Sequence, residues 1–190
     1  RGEFKALEGE ELIEMLVRMQ SVIPRYCRVS RLIRDFPSFE ISAGNKVTNL
    51  RDVIEVRMKE RGIQCQCLRC REAGHRPPLA ADTKLKVFSD VYRNALGTEY
   101  FLSVEDEERT TVVSFLRLRL PDREPMIDNP KTKKMLDEVS RELPELKDCA
   151  LIRELHTYGQ ALTLADNRAG AVQHRGWGKV LMAEAEKIAR

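Results

Sequence analysis

The sequence predicts an α+β chain: a helical, cysteine-bearing segment followed by a sheet flanked by helices. Three patterns carry that expectation. Apolar residues recur at helical spacing in Leu12, Ile13, Leu16 and Met19, and again in Leu50, Val53, Ile54 and Met58. Past Arg76-Pro77-Pro78 the period changes to two, with Leu116, Leu118 and Leu120 alternating with Arg117 and Arg119 as in a half-buried strand. Helical spacing returns at Leu181, Ala185 and Ile188. The proline pair breaks helices and marks the boundary, which divides the chain into residues 1–78 and 79–190.

Composition bounds what those segments can be. With 190 residues, 42% of them apolar, the chain can bury one good-sized core or two small ones. Its longest apolar runs fall well short of the roughly 18 residues that span a bilayer, and the start at Arg1-Gly2-Glu3-Phe4-Lys5 leads into a charged amphipathic stretch. A cytoplasmic protein without a membrane partner is expected. A net charge of +3 is too small to argue for nucleic acid, so any such case rests on where the cations lie.

The first helix is expected to end before Ile23-Pro24. Beyond it Arg25, Arg28, Arg31 and Arg34 recur every third residue, a candidate basic stripe for RNA; the alternative is a solvated arginine face. Thr48 and Asn49 are cap candidates for the second helix, and Gly62 is its stop. Directly after it, Cys65, Cys67, Cys70 and His75 place three thiols and an imidazole within eleven residues. That density suits a tetrahedral Zn²⁺ site able to order a loop with little core of its own, with Cys27 as another source of the fourth ligand and free thiols as the alternative. Arg69, Arg71 and Arg76 surround the cluster and extend the candidate basic surface.

In the second segment Glu99–Val104 and Thr110–Leu120 read as a hairpin around the acidic turn Glu105-Asp106-Glu107-Glu108. Residues 121–148 are a polar excursion with a helix over 132–142, and the strand 150–158 returns to the sheet. Gln173-His174-Arg175-Gly176-Trp177-Gly178 then stands between strand and helix, where glycines and unpaired helix-start N–H groups form an anion-gripping turn. It lacks the glycine and hydroxyl of a Walker loop, and no second strand with an acidic residue follows, as a dinucleotide fold requires.

The turn resembles the acetyl-coenzyme A motif of GCN5-related N-acetyltransferases. Taken together, Ile152-Arg153-Glu154-Leu155-His156-Thr157-Tyr158-Gly159, the glycine turn and Leu181-Met182-Ala183-Glu184-Ala185-Glu186 resemble the acetyltransferase region of the Elongator catalytic subunit family. Ile23-Pro24, Arg28-Val29, Arg31, Arg34-Asp35, Asn49-Leu50-Arg51 and Arg69-Cys70-Arg71-Glu72 resemble the linker between that family's radical S-adenosylmethionine domain and its acetyltransferase domain, and Phe115-Leu116-Arg117-Leu118-Arg119-Leu120-Pro121 resembles its sheet.

The resemblance implies a transferase portion that binds acetyl-CoA and tRNA and supplies the acetyl group for carboxymethylation at C5 of the wobble uridine. Pantetheine would run beside Glu154, Leu155, His156 and Thr157, and pyrophosphate would sit on Gln173, His174, Arg175, Gly176, Trp177 and Gly178. The cysteine cluster resembles a zinc-binding motif of some members. The family's iron–sulfur cluster and S-adenosylmethionine belong to the radical domain, an expected partner region of the same enzyme, and the cysteine spacing here differs from that cluster's. The chain stops after the first coenzyme-contacting helix, so the resemblance implies a C-terminally incomplete acetyltransferase domain. No residue stands out as a general base; His156 on its strand is as well explained by packing. Two alternatives remain open: an N-acetyltransferase for a protein or small amine, and a non-enzymatic zinc-knuckle RNA-binding module.

Overall fold

The computed structural model describes residues 5–32, 38–80, 82–94, 96–121, 130–146, 149–158 and 176–190. They fall into two compact units, 1–71 and 72–190.

In the first unit, helix α1 (Gly9–Val22) and helix α2 (Leu50–Glu60) each bury one stripe. Leu16 and Val17 meet Leu50, Ile54 and Met58, and Cys65 and Cys67 join the same cluster. Arg57 of α2 and Arg61, the residue just past its end, pair with Glu10 and Glu14 of α1 across the exposed rim. Gly62 ends α2 as expected: at φ +65° it turns the chain so that the Ile63 N–H reaches Met58 O at 2.8 Å and its own N–H reaches Lys59 O at 3.0 Å. Asn49 occupies the cap position, but its side chain makes no capping bond. A single turn, α3 (Leu68–Arg71), follows Cys67 directly.

The second unit is a four-stranded antiparallel sheet in the order β1-β2-β3-β4, built from β1 (Leu85–Asn94), β2 (Gly97–Asp106), β3 (Val112–Leu120) and β4 (Leu151–Thr157). Helix α4 (Pro130–Glu142) forms the excursion between β3 and β4, and α5 (Trp177–Ala189) packs on one face of the sheet. There Leu102, Val104, Leu116 and Leu118 bury against Leu181 and Ala185, each leucine worth about 1.5–3 kcal/mol of apolar burial. The opposite face is polar and aromatic. Phe101 and Phe115 stack at 5.4 Å, the Arg117 guanidinium lies 5.0 Å over the Phe101 ring, and Glu99 and Glu105 are buried beside them.

Strand β1 was absent from the sequence expectation. It pairs along its whole length with β2 through a tight turn at Gly97, whose φ of +144° and 2.1 Å approach of a hypothetical Cβ to Leu120 O admit glycine alone. The units divide just ahead of Glu72, upstream of Pro77-Pro78, and Glu72 bridges to Val112 while Ala73 and Leu79 pack on the sheet core.

Candidate functional site

Strand β4 ends the sheet, so among the described residues its outer backbone edge has no neighbouring strand. Its side chains are largely exposed. Glu154 accepts from Arg117 Nε at 3.0 Å, His156 lies edge-on to Tyr158 at 4.6 Å, and the Thr157 hydroxyl is 2.9 Å from that of Ser114. The Tyr158 N–H donates to Val113 O at 2.8 Å and anchors the far end. These contacts give His156 an aromatic packing role, the alternative weighed in the sequence.

Gly176 is the residue before α5 and sits in the left-handed region at φ +72°, and its carbonyl accepts from the Lys179 and Val180 N–H groups. A Cβ placed on Gly178 would meet Leu155 Cδ2 at 3.8 Å, so the helix start lies against β4. Trp177 packs against the sheet core with its indole Nε1 buried and without a hydrogen-bond partner among the described residues. Gln173, His174 and Arg175 lie outside the described residues.

The structure brings Cys65, Cys67 and Cys70 together, with their three Sγ atoms within 4.8 Å of one another. Tetrahedral Zn–S bonds of about 2.3 Å place sulfurs roughly 3.8 Å apart, so this donor set fits the metal. Cys67 is drawn far below the ordinary thiol value by hydrogen bonds from the Cys65 and Cys70 thiols, against the opposing effect of burial, and further by the Cys70 and Val29 N–H groups. Cys70 shifts upward, mainly through its bonds with the Cys65 and Cys67 sulfurs, and Cys65 shifts upward through its bond with Cys67 and through burial, against the opposing bond with Cys70. The trio is thus arranged around negative charge on sulfur, the form that ligates metal.

His75 belongs to the second unit. Its Nε2 lies 2.7 Å from Glu72 of the same unit. Cys27 instead returns to the cluster through its backbone, where its carbonyl accepts from the Leu68 N–H at 2.8 Å.

Of the candidate RNA contacts, Arg28 and Arg31 are exposed, Arg25 and Arg69 are half-buried, and Arg34 lies outside the described residues. Residues 25–32 form no helix, so the three-residue repeat runs along irregular chain. Arg71 differs from the surface cation the sequence suggested. It is 2% exposed, its Nε donates to Gln66 O at 2.9 Å, and its Nη2 donates to Arg25 O at 3.0 Å. That guanidinium latches the cysteine loop to the segment carrying Cys27. Arg51 does similar work, donating to Val29 O at 2.7 Å; neither role was visible without the chain reversal that joins the two segments.

A cysteine-bearing helical unit is thus followed by an antiparallel sheet whose edge strand meets a glycine-started helix. The family described as the radical SAM C-terminal domain matches residues 1–60. All of the chain aligns, at 37% identity, with the tRNA uridine(34) acetyltransferase of Methanocaldococcus infernus, covering 34% of that protein. All of it also aligns, at 35% identity, with Elongator complex protein 3 of Bos taurus, covering 32%. The solved structure of archaeal Methanocaldococcus infernus Elp3 with residues 1–46 deleted superposes with a TM-score of 0.75 at 34% identity, over 100% of this chain and 42% of that one. Over its whole length the chain is similar to catalytic subunits of the Elongator family, and it spans about a third of the length of these curated relatives.

Proposed function

We propose that this chain is the linker and acyl-carrier-binding portion of an enzyme that modifies the wobble uridine of tRNA, working in the cytoplasm. In this reading acetyl-CoA binds a GCN5-like fold. Its pantetheine amides pair with the open edge of β4 at Glu154, Leu155, His156 and Thr157, and its pyrophosphate rests on the turn from Gln173 to Gly178. The observation that carries the reading is the contact of the α5 start with Leu155, because one elongated ligand can then satisfy both the strand edge and the helix-start amides. The names of the archaeal relatives support tRNA as substrate and acetyl transfer as chemistry, and in this reading carboxymethylation at C5 follows in concert with a radical S-adenosylmethionine domain.

Cys65, Cys67 and Cys70 hold Zn²⁺ in this reading, with Cys27 favoured over His75 as fourth ligand by the Leu68–Cys27 backbone bond. Four protein ligands leave no open position, so the ion supplies structure and shapes the surface bearing Arg25, Arg28, Arg31 and Arg69. The decisive experiment is calorimetric titration of the full chain with acetyl-CoA, followed by thioester release with and without tRNA. Carrier binding with tRNA-stimulated release is expected. Release stimulated by small amines but not by tRNA would establish an amine N-acetyltransferase, and tRNA binding without any carrier binding would leave a zinc-knuckle RNA module.

A further inference from the structure

We propose that Glu99 is a positioning residue that sets the register of β4 through Arg153; the functional part of this inference rests on the carrier-binding reading of that strand. Glu99 is 1% exposed. Its Oε1 accepts from Asn94 Nδ2 at 3.0 Å, Arg119 Nε at 2.6 Å and Arg153 Nη1 at 2.8 Å. Those donors belong to β1, β3 and β4, and Glu99 itself to β2, so one carboxylate oxygen joins all four strands.

The register of β4 changes at the residue this clamp holds. Glu154 pairs with Arg117, but the next pair is Ile152 with Leu118, so Arg153 is the extra residue of a bulge. A bulge re-aims the side chain it carries. With Arg153 left out of the ladder, Ile152 joins Leu118 on the face that packs α5, while Arg153 reaches the polar face and Glu99. If Arg153 instead took the place opposite Leu118, its guanidinium would enter the apolar layer, and Ile152 would turn toward Glu99. The ion pair therefore selects between two registers, and everything upstream of Glu154 depends on which one forms.

Stability alone does not explain the cluster. Three donors crowd Oε1 while Oε2 is buried without a partner among the described residues, an arrangement that well-packed apolar groups would match or exceed in stability. Its distinctive property is specification of geometry. β4 needs such a device because it is exposed along its length, and the Arg117–Glu154 pair is itself half in solvent.

The test uses the full chain with Glu99→Gln, Arg153→Met and Arg153→Lys. Arg109→Met serves as control: it breaks the Asp90–Arg109–Glu105 network on β1, β2 and the turn after β2, without touching β4. Acetyl-CoA affinity is read by calorimetry, and the amides of residues 151–157 by hydrogen exchange. Glu99→Gln and Arg153→Met should weaken carrier binding roughly tenfold to a hundredfold and speed exchange in β4. Arg153→Lys should recover most of the affinity, and Arg109→Met should bind like wild type. A folded Glu99→Gln protein with wild-type affinity and wild-type exchange in β4 overturns the proposal, as does an equal loss of affinity in Arg109→Met. A wild-type chain that binds no carrier refutes the carrier-binding reading instead, and exchange in β4 of the variants then decides the register claim by itself.

Discussion

The two units reach order by different means. The sheet unit buries a continuous layer of leucine and valine against α5 and needs nothing further for its core. Among its described residues the helical unit has two long helices, the single turn α3 and irregular stretches, and a core in which Cys65 and Cys67 sit beside Leu16, Val17 and Ile54. Three sulfurs drawn within 4.8 Å of one another are poor substitutes for methyl groups unless a cation joins them. The difference teaches where each unit is vulnerable: one to loss of apolar volume or backbone fit, the other, on the zinc reading proposed above, to loss of a metal.

The largest effect should therefore come from chelation or Cys67→Ser. Structural zinc sites contribute on the order of 10 kcal/mol of apparent binding free energy, enough to decide whether so small a core forms. Hydrogen exchange should accelerate across residues 1–71 while 72–190 keep their protection. Unchanged exchange in the first unit after the purified chain is stripped of metal would remove zinc from the account. The converse experiment is Leu116→Ala, which opens a cavity beneath α5 and should lower the stability of the sheet unit by about 2–5 kcal/mol without releasing metal. Gly97→Ala should do comparable harm, about 2–4 kcal/mol, because the added Cβ would collide with the Leu120 carbonyl. Thermal melts resolved by unit distinguish these outcomes.

The same contrast governs what could be read from the sequence. Periodicity exposed α1, α2, α4, α5 and the β2–β3 hairpin, because each buries one face at its own repeat. It missed β1, whose outward Val87 and Val91 blur the alternation and whose turn depends on a single glycine. The cysteine trio was legible because its ligands lie close in the chain. The roles of Arg71, Arg51 and Glu99 were not, since each acts on residues far away in sequence: Arg71 on Arg25, Arg51 on Val29 and Glu99 on Arg153. Regular spacing of arginines likewise gave no sign that one cation near the cluster would be buried and consumed by carbonyls.

A smaller effect is expected at Gly176. A Cβ there meets open space, so Gly176→Ala should cost only the left-handed backbone, about 1–2 kcal/mol, and Gly176→Asn less. Losses larger than this would mean that the turn ahead of α5 is more tightly packed than its described end.

Acidification separates the units most finely. Burial pushes the Glu99 carboxyl up, but the hydrogen bonds from Arg119, Arg153 and Asn94, with the charge of Arg119, outweigh it and hold the group below the ordinary carboxylate range. A carboxylate whose folded value is depressed contributes stability that is fully present above its unfolded value, here 4.5, and lost as pH falls through the folded one. The sheet unit should thus hold its stability down to about that pH and decline below it, and Glu99→Gln should flatten the decline. The helical unit should fail earlier in the titration, because protons compete with zinc for cysteinate before they reach Glu99. Exchange measured unit by unit across an acid series should show protection lost first in residues 1–71. Simultaneous loss in both units would mean that the clamp at Glu99 and the thiolate cluster do not set the acid limits of their own halves.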